Sequence, residues 1–120
     1  MPLIAGVDSS TQSTKVEVRD LASGEVVASA TAPHTAVTAP ISEQDPTMWW
    51  SAFTSAWAGV GAPAVAAISV AGQQHGMVAL DDRGVAVHPA KLWNDTESAP
   101  DADDLVVRLG GPAAWASAVG

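Results

Sequence analysis

The chain has 120 residues, 48% of them hydrophobic and 15% charged, which suits one globular unit whose core is thin, because bulky aromatic volume is confined to five Trp and one Phe. Thirteen Asp plus Glu against five Lys plus Arg leave a net charge of −8, which opposes a nonspecific grip on nucleic acid or an anionic membrane. The absence of Cys excludes disulfides and thiolate metal sites, and no stretch approaches the roughly 20 apolar residues of a membrane span, so a soluble, cytoplasmic protein is expected.

Leu3 to Val7 is a short apolar run, and Lys15 to Arg19 alternates with the period of two that marks a half-buried strand. A turn at Ala22-Ser23-Gly24-Glu25 leads to a third strand over Val26 to Thr31, so the first three strands form an antiparallel meander. Residues 32 to 44, with Pro33 and Pro40, read as loop. Asp45-Pro46 opens a helix, because a carboxylate can accept from the free N–H groups of the first turn and Pro fits where its missing donor costs little.

Trp49, Ala52, Phe53, Ala56, Trp57 and Val60 make one apolar face of that helix, with Trp49 in the core and Trp50 pointing elsewhere; Gly59 and Gly61-Ala62-Pro63 end it. Val65 to Val70 is expected to be a buried strand parallel to its neighbour. Met77 to Leu80 and Val85 to Val87 flank Asp81-Asp82-Arg83-Gly84 as a hairpin. Gly110-Gly111-Pro112 breaks the chain before a short helix-like run from Ala113 to Val119, and a helix that short is marginal alone, so the chain is expected to be the front of something longer. The order β-β-β-α-β is that of an α/β fold of the ribonuclease H-like, actin-like kind: a mixed sheet of three antiparallel strands and one parallel strand reached through a helix.

Three segments can carry chemistry. Asp8 sits where an apolar strand meets a polar turn, a place suited to Mg²⁺, which takes oxygen ligands and keeps several waters. Behind it, Ser9 to Thr14 offer hydroxyls and N–H groups to phosphate oxygens, and Lys15 adds a positive charge. The same residues also fit a polar hairpin turn, and the glycine spacing of a Walker loop is absent. Gln74 and His75, after the parallel strand, present donors and acceptors suited to a polyhydroxylated ligand, although His75 taken alone fits a hydrogen-bonded structural histidine better. Trp93, Asn94 and Asp95 could stack on a sugar and bond its hydroxyls, or form a buried Trp followed by an Asx turn. His34, His75 and His88 are too scattered for a metal-ligand pattern.

Taken together and in this order, Gly6-Val7-Asp8-Ser9-Ser10-Thr11-Gln12-Ser13-Thr14-Lys15, Glu43-Gln44-Asp45-Pro46 with Trp49-Trp50, Ala71-Gly72-Gln73-Gln74-His75-Gly76 and Leu92-Trp93-Asn94-Asp95 resemble the FGGY family of carbohydrate kinases, and within it the xylulokinases. The resemblance implies a two-domain actin-like fold with the site in the cleft, of which residues 1–120 would be the front part of the N-terminal domain. It implies ATP and Mg²⁺ as cofactors and D-xylulose as the acceptor, phosphorylated to D-xylulose 5-phosphate.

On the same basis Asp8 would hold the metal and orient the transferring phosphate, Thr11, Gln12, Ser13 and Lys15 would serve the ATP phosphates, and Gln74 and His75, with Trp93, Asn94 and Asp95 nearby, would serve the sugar. The general base would lie beyond this chain, so the isolated chain is expected to be inactive, and apolar faces left uncovered would favour self-association into a homo-oligomer. Similar proteins often carry Met where Gln74 stands and Arg where Glu97 stands, departures that leave the preferred ketose open. Two other readings stand beside this one: an FGGY kinase for ribulose, gluconate or glycerol, and a sugar- or nucleotide-binding module without catalysis. The kinase reading expects Asp8 to face Gln74 and His75 across one cavity.

Overall fold

The alternation in Lys-Val-Glu-Val-Arg sets the sheet. In the computed structural model, which describes all 120 residues, Val16 and Val18 are turned inward with under 2% exposure while Lys15 and Arg19 face solvent. Strand β2 (Ser13–Asp20) pairs antiparallel with β1 (Leu3–Ser9) and with β3 (Val26–Pro33), giving the expected meander with strands slightly longer than the apolar runs alone indicate. The β2–β3 turn is fixed by Asp20, whose Oδ1 accepts from the N–H groups of Ala22 and Ser23.

Residues 32 to 44 are not wholly loop: Glu43–Gln44 forms a short strand β4, which pairs later with β6 (Ala90–Lys91). Helix α1 (Pro46–Gly59) then starts as expected, with Asp45 Oδ1 accepting from Thr47 N and Thr47 Oγ1 at 2.9 and 2.8 Å. Those two bonds, the hydroxyl first, hold the Asp45 carboxyl below its usual range against a smaller opposing effect of burial. Ala52, Ala56 and Val60 pack onto Ala5, Val7, Val16, Val18 and Ala32, with Phe53 and Trp57 at the margin. Each fully buried Val contributes roughly 1.5–3 kcal/mol, so this alanine-rich core is modest. Trp49 is only half-buried and lies outside it, because its indole N–H is drawn to the Gln44 carboxamide.

Gly59 is the last residue of α1, Val60 caps it and Gly61, at φ +81°, makes the exit, so the helix ends where the glycines were expected to end it. Gly59 also supplies room, since a Cβ there would sit 2.8 Å from the Ala30 methyl of β3. Overpacking costs roughly 1–3 kcal/mol, more than the roughly 1 kcal/mol by which alanine exceeds glycine as a helix former. Gly59→Ala is therefore expected to lower the melting temperature in a calorimetric scan, and a raised one would show that α1 lifts off the sheet freely.

Beyond α1, β5 (Ala67–Gly72) joins β1 in parallel, which completes the order β3-β2-β1-β5 and the mixed sheet expected from the element pattern. The expectation of burial fails: every residue of β5 is exposed, with Ile68 at 49% and Val70 at 65%. Register explains this. Val70 pairs with Val7 and Ile68 with Ala5, so both lie on the face that carries α1, but α1 sits over β2 and β3 and stops short of this edge.

The expected hairpin is reduced to a single bridge, Leu80 with Ala86, around a turn in which Asp81 Oδ1 accepts from Arg83 N and Val85 N, while Met77 pairs with Lys91 instead. Helix α2 (Ala99–Arg108) was not anticipated, although Pro100 near its start and the Asp104–Arg108 pair at 2.7 Å mark it; α3 (Pro112–Val119) matches the expected terminal run. Neither helix buries a residue, and none in the chain is long and apolar enough to cross a membrane.

Candidate functional site

The β1–β2 turn is the centre of the site. Residues 10 to 12 leave the sheet, and the turn closes through Ser10 N donating to Ser13 O at 3.0 Å. Segments distant in sequence then fasten it. Thr11 Oγ1 donates to Gln73 Oε1 at 3.1 Å and accepts from Trp93 Nε1 at 2.9 Å, so one hydroxyl ties residues 62 and 82 positions away. His34 N donates to Gln12 O at 2.8 Å, and the His34 ring, 8% exposed, shares a 2.7 Å hydrogen bond with Thr14 Oγ1. Gln73 N donates to Ser9 O at 3.1 Å, carrying the end of β5 alongside β1.

This fastening opens a cavity of about 760 Å³ lined by Thr11, Gln12 and Ser13 on one wall and by Trp93 and Asn94 on the other, with His34 and Val37 between. Two groups of candidates, one assigned to phosphate and one to sugar, thus share one space. Asp8 and Lys15 lie elsewhere. They are register partners on the sheet face turned away from α1, where a shallow cavity of about 360 Å³ also meets Glu17 and Ser69. Lys15 reaches Glu17 at 3.5 Å rather than Asp8. The Glu17 carboxyl is held below its usual range, first by its hydrogen bond with Arg19 and more weakly by Lys15, with burial opposing. Asp8 accepts one bond, from Ser10 Oγ at 2.6 Å, and pairs with no cation.

His75 lines a third cavity, about 240 Å³, with Ser9, Trp49, Gly76 and Lys91, and Gln74 is exposed beside it. The His75 backbone has φ +59°, a left-handed conformation a non-glycine residue adopts at a cost, and the next residue explains the crowding: a Cβ at Gly76 would stand 3.0 Å from Lys91 O. Asp8 and His75 therefore do not face one cavity. Strand alternation points Asp8 away from α1, whereas the chain beyond Gly72 turns toward β6; what the two share is the carboxyl end of neighbouring strands β1 and β5.

Asp95 is occupied with the fold rather than free for a ligand. Its Oδ2 accepts from Ser42 N at 2.7 Å and from Lys91 Nζ at 3.3 Å, and its Oδ1 from Glu97 N at 3.1 Å. Burial pushes its carboxyl up, but the bonds from Ser42, Glu97 and Lys91 together outweigh this and hold it below the usual range. Lys91 also meets Glu43 Oε1 at 2.6 Å and the Glu97 carboxylate, so its ammonium stands amid three carboxylates whose nearest oxygens lie within 4.8 Å of one another. The bond to Glu43, then that to Glu97, raises the lysine well above its ordinary value. A lysine thus already neutralises the one acidic trio in the chain with metal-like spacing, and Glu97 has a partner of opposite sign.

The sign of the pH dependence follows. A raised lysine contributes stability below its unfolded value near 10.5 and loses it as pH climbs; a lowered carboxyl contributes above its unfolded value near 3.8 and loses it as pH falls. The melting temperature of Lys91→Met is accordingly expected to fall furthest below that of the unmodified chain between about pH 5 and pH 9 and to converge with it in acid. A gap independent of pH would remove the charge argument.

Sequence inspection passed over Gln73 and His34 as site residues. The signal for Gln73 was its place one residue past a strand end; for His34 it was a lone histidine closing an apolar strand, which has many meanings. Comparison with known proteins agrees with the geometry. Residues 3–113 match the N-terminal domain of the FGGY family of carbohydrate kinases. The chain is similar to curated proteins named xylulose kinase from Streptomyces coelicolor (54% identity) and Streptomyces rubiginosus (50%), in each case over 99% of the chain and 25% of the relative. It also superposes on the crystal structure of xylulose kinase from Bifidobacterium adolescentis with a TM-score of 0.79 and 49% identity, over 91% of this chain and 21% of that one. The chain spans about a quarter of the length of the curated relatives. It belongs to the FGGY family of carbohydrate kinases.

Proposed function

We propose that the chain is the N-terminal segment of an ATP-dependent kinase that phosphorylates D-xylulose to D-xylulose 5-phosphate in the cytoplasm. The observation that carries this is the single Thr11 hydroxyl joining Gln73 and Trp93, which gathers three of the four family stretches around one turn. The relatives' names supply the ketose, and the absence of cysteine and of any membrane-crossing helix agrees with the location.

In this reading Asp8 holds Mg²⁺. Its donor set fits: an exposed carboxylate with one oxygen engaged by Ser10 and no competing cation suits an ion that keeps much of its water and binds substrate phosphates. The metal supplies charge neutralisation on the transferring phosphoryl group. Thr11, Gln12 and Ser13 donate to phosphate oxygens, with Lys15 adding positive charge nearby; Trp93 offers a flat apolar wall and Asn94 an amide to the sugar, and Gln74 and His75 bond its hydroxyls. Asp95 acts only by holding the Trp93 loop. In this reading the ligands bind over the carboxyl ends of β1 and β5, where the cavities of Thr11 and Trp93, of Asp8 and of His75 adjoin the strand ends. Phosphoryl transfer depends on such positioning more than on covalent help.

The test is a coupled ADP-release assay of the full-length protein over D-xylulose, ribulose, gluconate and glycerol. D-Xylulose is expected to give the highest kcat/KM; preference for any of the others would move the protein to another branch of the family, and no ATP consumption with any would overturn the reading.

A further inference from the structure

The β1–β2 turn has one more support, and it is buried. Gln44 in β4 is 3% exposed, and its carboxamide is used at three corners: Nε2 donates to Thr11 O at 2.9 Å and to Thr35 O at 2.8 Å, while Oε1 accepts from Trp49 Nε1 at 2.9 Å. Both amide hydrogens are spent on backbone carbonyls of loops that lack ladder partners at those points, and the oxygen locks the amide the right way round, since a flipped group would set an oxygen against two carbonyls. Asp45, the next residue, caps α1, so the helix start holds Gln44 in place.

We propose that Gln44 is a positioning residue for phosphoryl transfer: it touches neither substrate nor metal, but fixes the backbone at Thr11 so that the turn's hydroxyl and N–H groups stand ready for the phosphates. The inference rests on the reading of residues 11–13 as the phosphate side of the site. The residue type is demanding. Asn is one methylene short, Glu keeps the acceptor for Trp49 but loses both donors, and Met keeps the length but leaves two carbonyls unpaired in a buried place. Because a misplacement of about 1 Å at a reacting group can cost on the order of 10²-fold, a small shift at Thr11 is enough to matter.

The experiment uses Gln44→Glu and Gln44→Met in the full-length protein, with three readouts: kcat/KM for ATP, KM for D-xylulose, and amide hydrogen exchange at Ser10 to Ser13 without ligand. Expected are a fall of roughly 10²-fold in kcat/KM for ATP, a much smaller rise in KM for the sugar transmitted through the Thr11–Trp93 bond, and faster exchange confined to the turn. Unchanged ATP kinetics in both variants would overturn the proposal. So would an equal loss toward both substrates, exchange raised throughout the sheet, or failure of both variants to fold, since each marks a general structural role. If the unmodified protein consumes no ATP, the functional reading fails instead, and exchange at the turn still tests whether Gln44 orders it.

Discussion

If the proposed kinase reading holds, Asp8→Asn in the full-length protein is expected to lower turnover by roughly 10³-fold, the scale on which loss of a charge-stabilising group acts in phosphoryl transfer, while leaving the melting temperature nearly unchanged. Asn keeps the size of the side chain and an oxygen for the Ser10 hydroxyl, the one bond Asp8 accepts. It removes the negative charge, and with it the attraction to a divalent cation. Since the residue is exposed and has no ion-pair partner, folding has little to lose; surface changes of this kind usually stay within about ±0.5 kcal/mol. Raising Mg²⁺ should recover part of the loss if weaker metal binding is its source. Steady-state kinetics with a parallel thermal scan decide the matter: full activity would return Asp8 to a turn residue, and a collapsed fold would make it structural.

The 120-residue chain alone is expected to transfer no phosphate from ATP to D-xylulose. Transfer needs a group to take the hydroxyl proton and walls that exclude water. Among the residues lining the cavity of Thr11 and Trp93, His34 is the sole titratable one, and its ring already shares a hydrogen bond with Thr14. The facing wall is open, with Trp93 58% exposed, and Gln74 and His75, at a separate cavity, face solvent. Incubation of the purified chain at high concentration with both substrates, read by ADP release, checks this; turnover above the background of an Asp8→Asn control would mean that the chain carries its own base.

The parts of this architecture legible in the sequence are those dictated locally. Alternation in residues 15–19, the Asp45-Pro46 cap and the three-four spacing of Ala52, Phe53, Ala56, Trp57 and Val60 in α1 each follow from neighbours along the chain, and the structure bears them out, with Trp49 the exception. What failed depended on what lies across space. Val65 to Val70 has the composition of a buried strand, yet burial requires a covering layer, and the register gives β5 none. Gly59 does end α1, as its sequence suggested, but its second role, leaving room for the Ala30 methyl, is set by a strand distant along the chain. At the site, the motif stretches meet at the β1–β2 turn, but their division among cavities was not legible in the sequence. Asp95 looked like a ligand group beside Trp93, and nothing in its sequence neighbourhood announced that Ser42, far back in the chain, would claim its carboxylate. Gln44 was similarly silent, since its three partners come from three loops or helices.

The outer border of β5 has a further meaning. As the last strand in the order β3-β2-β1-β5, it presents a row of peptide groups with no neighbour, directed away from β1. Growth of the sheet by another strand can proceed from that row, and Ile68 and Val70, with Trp50 close by on α1, mark the side that a new layer would roof over. Of the two free borders of the sheet, α1 packs beside that of β3 and leaves the apolar side chains of β5 uncovered.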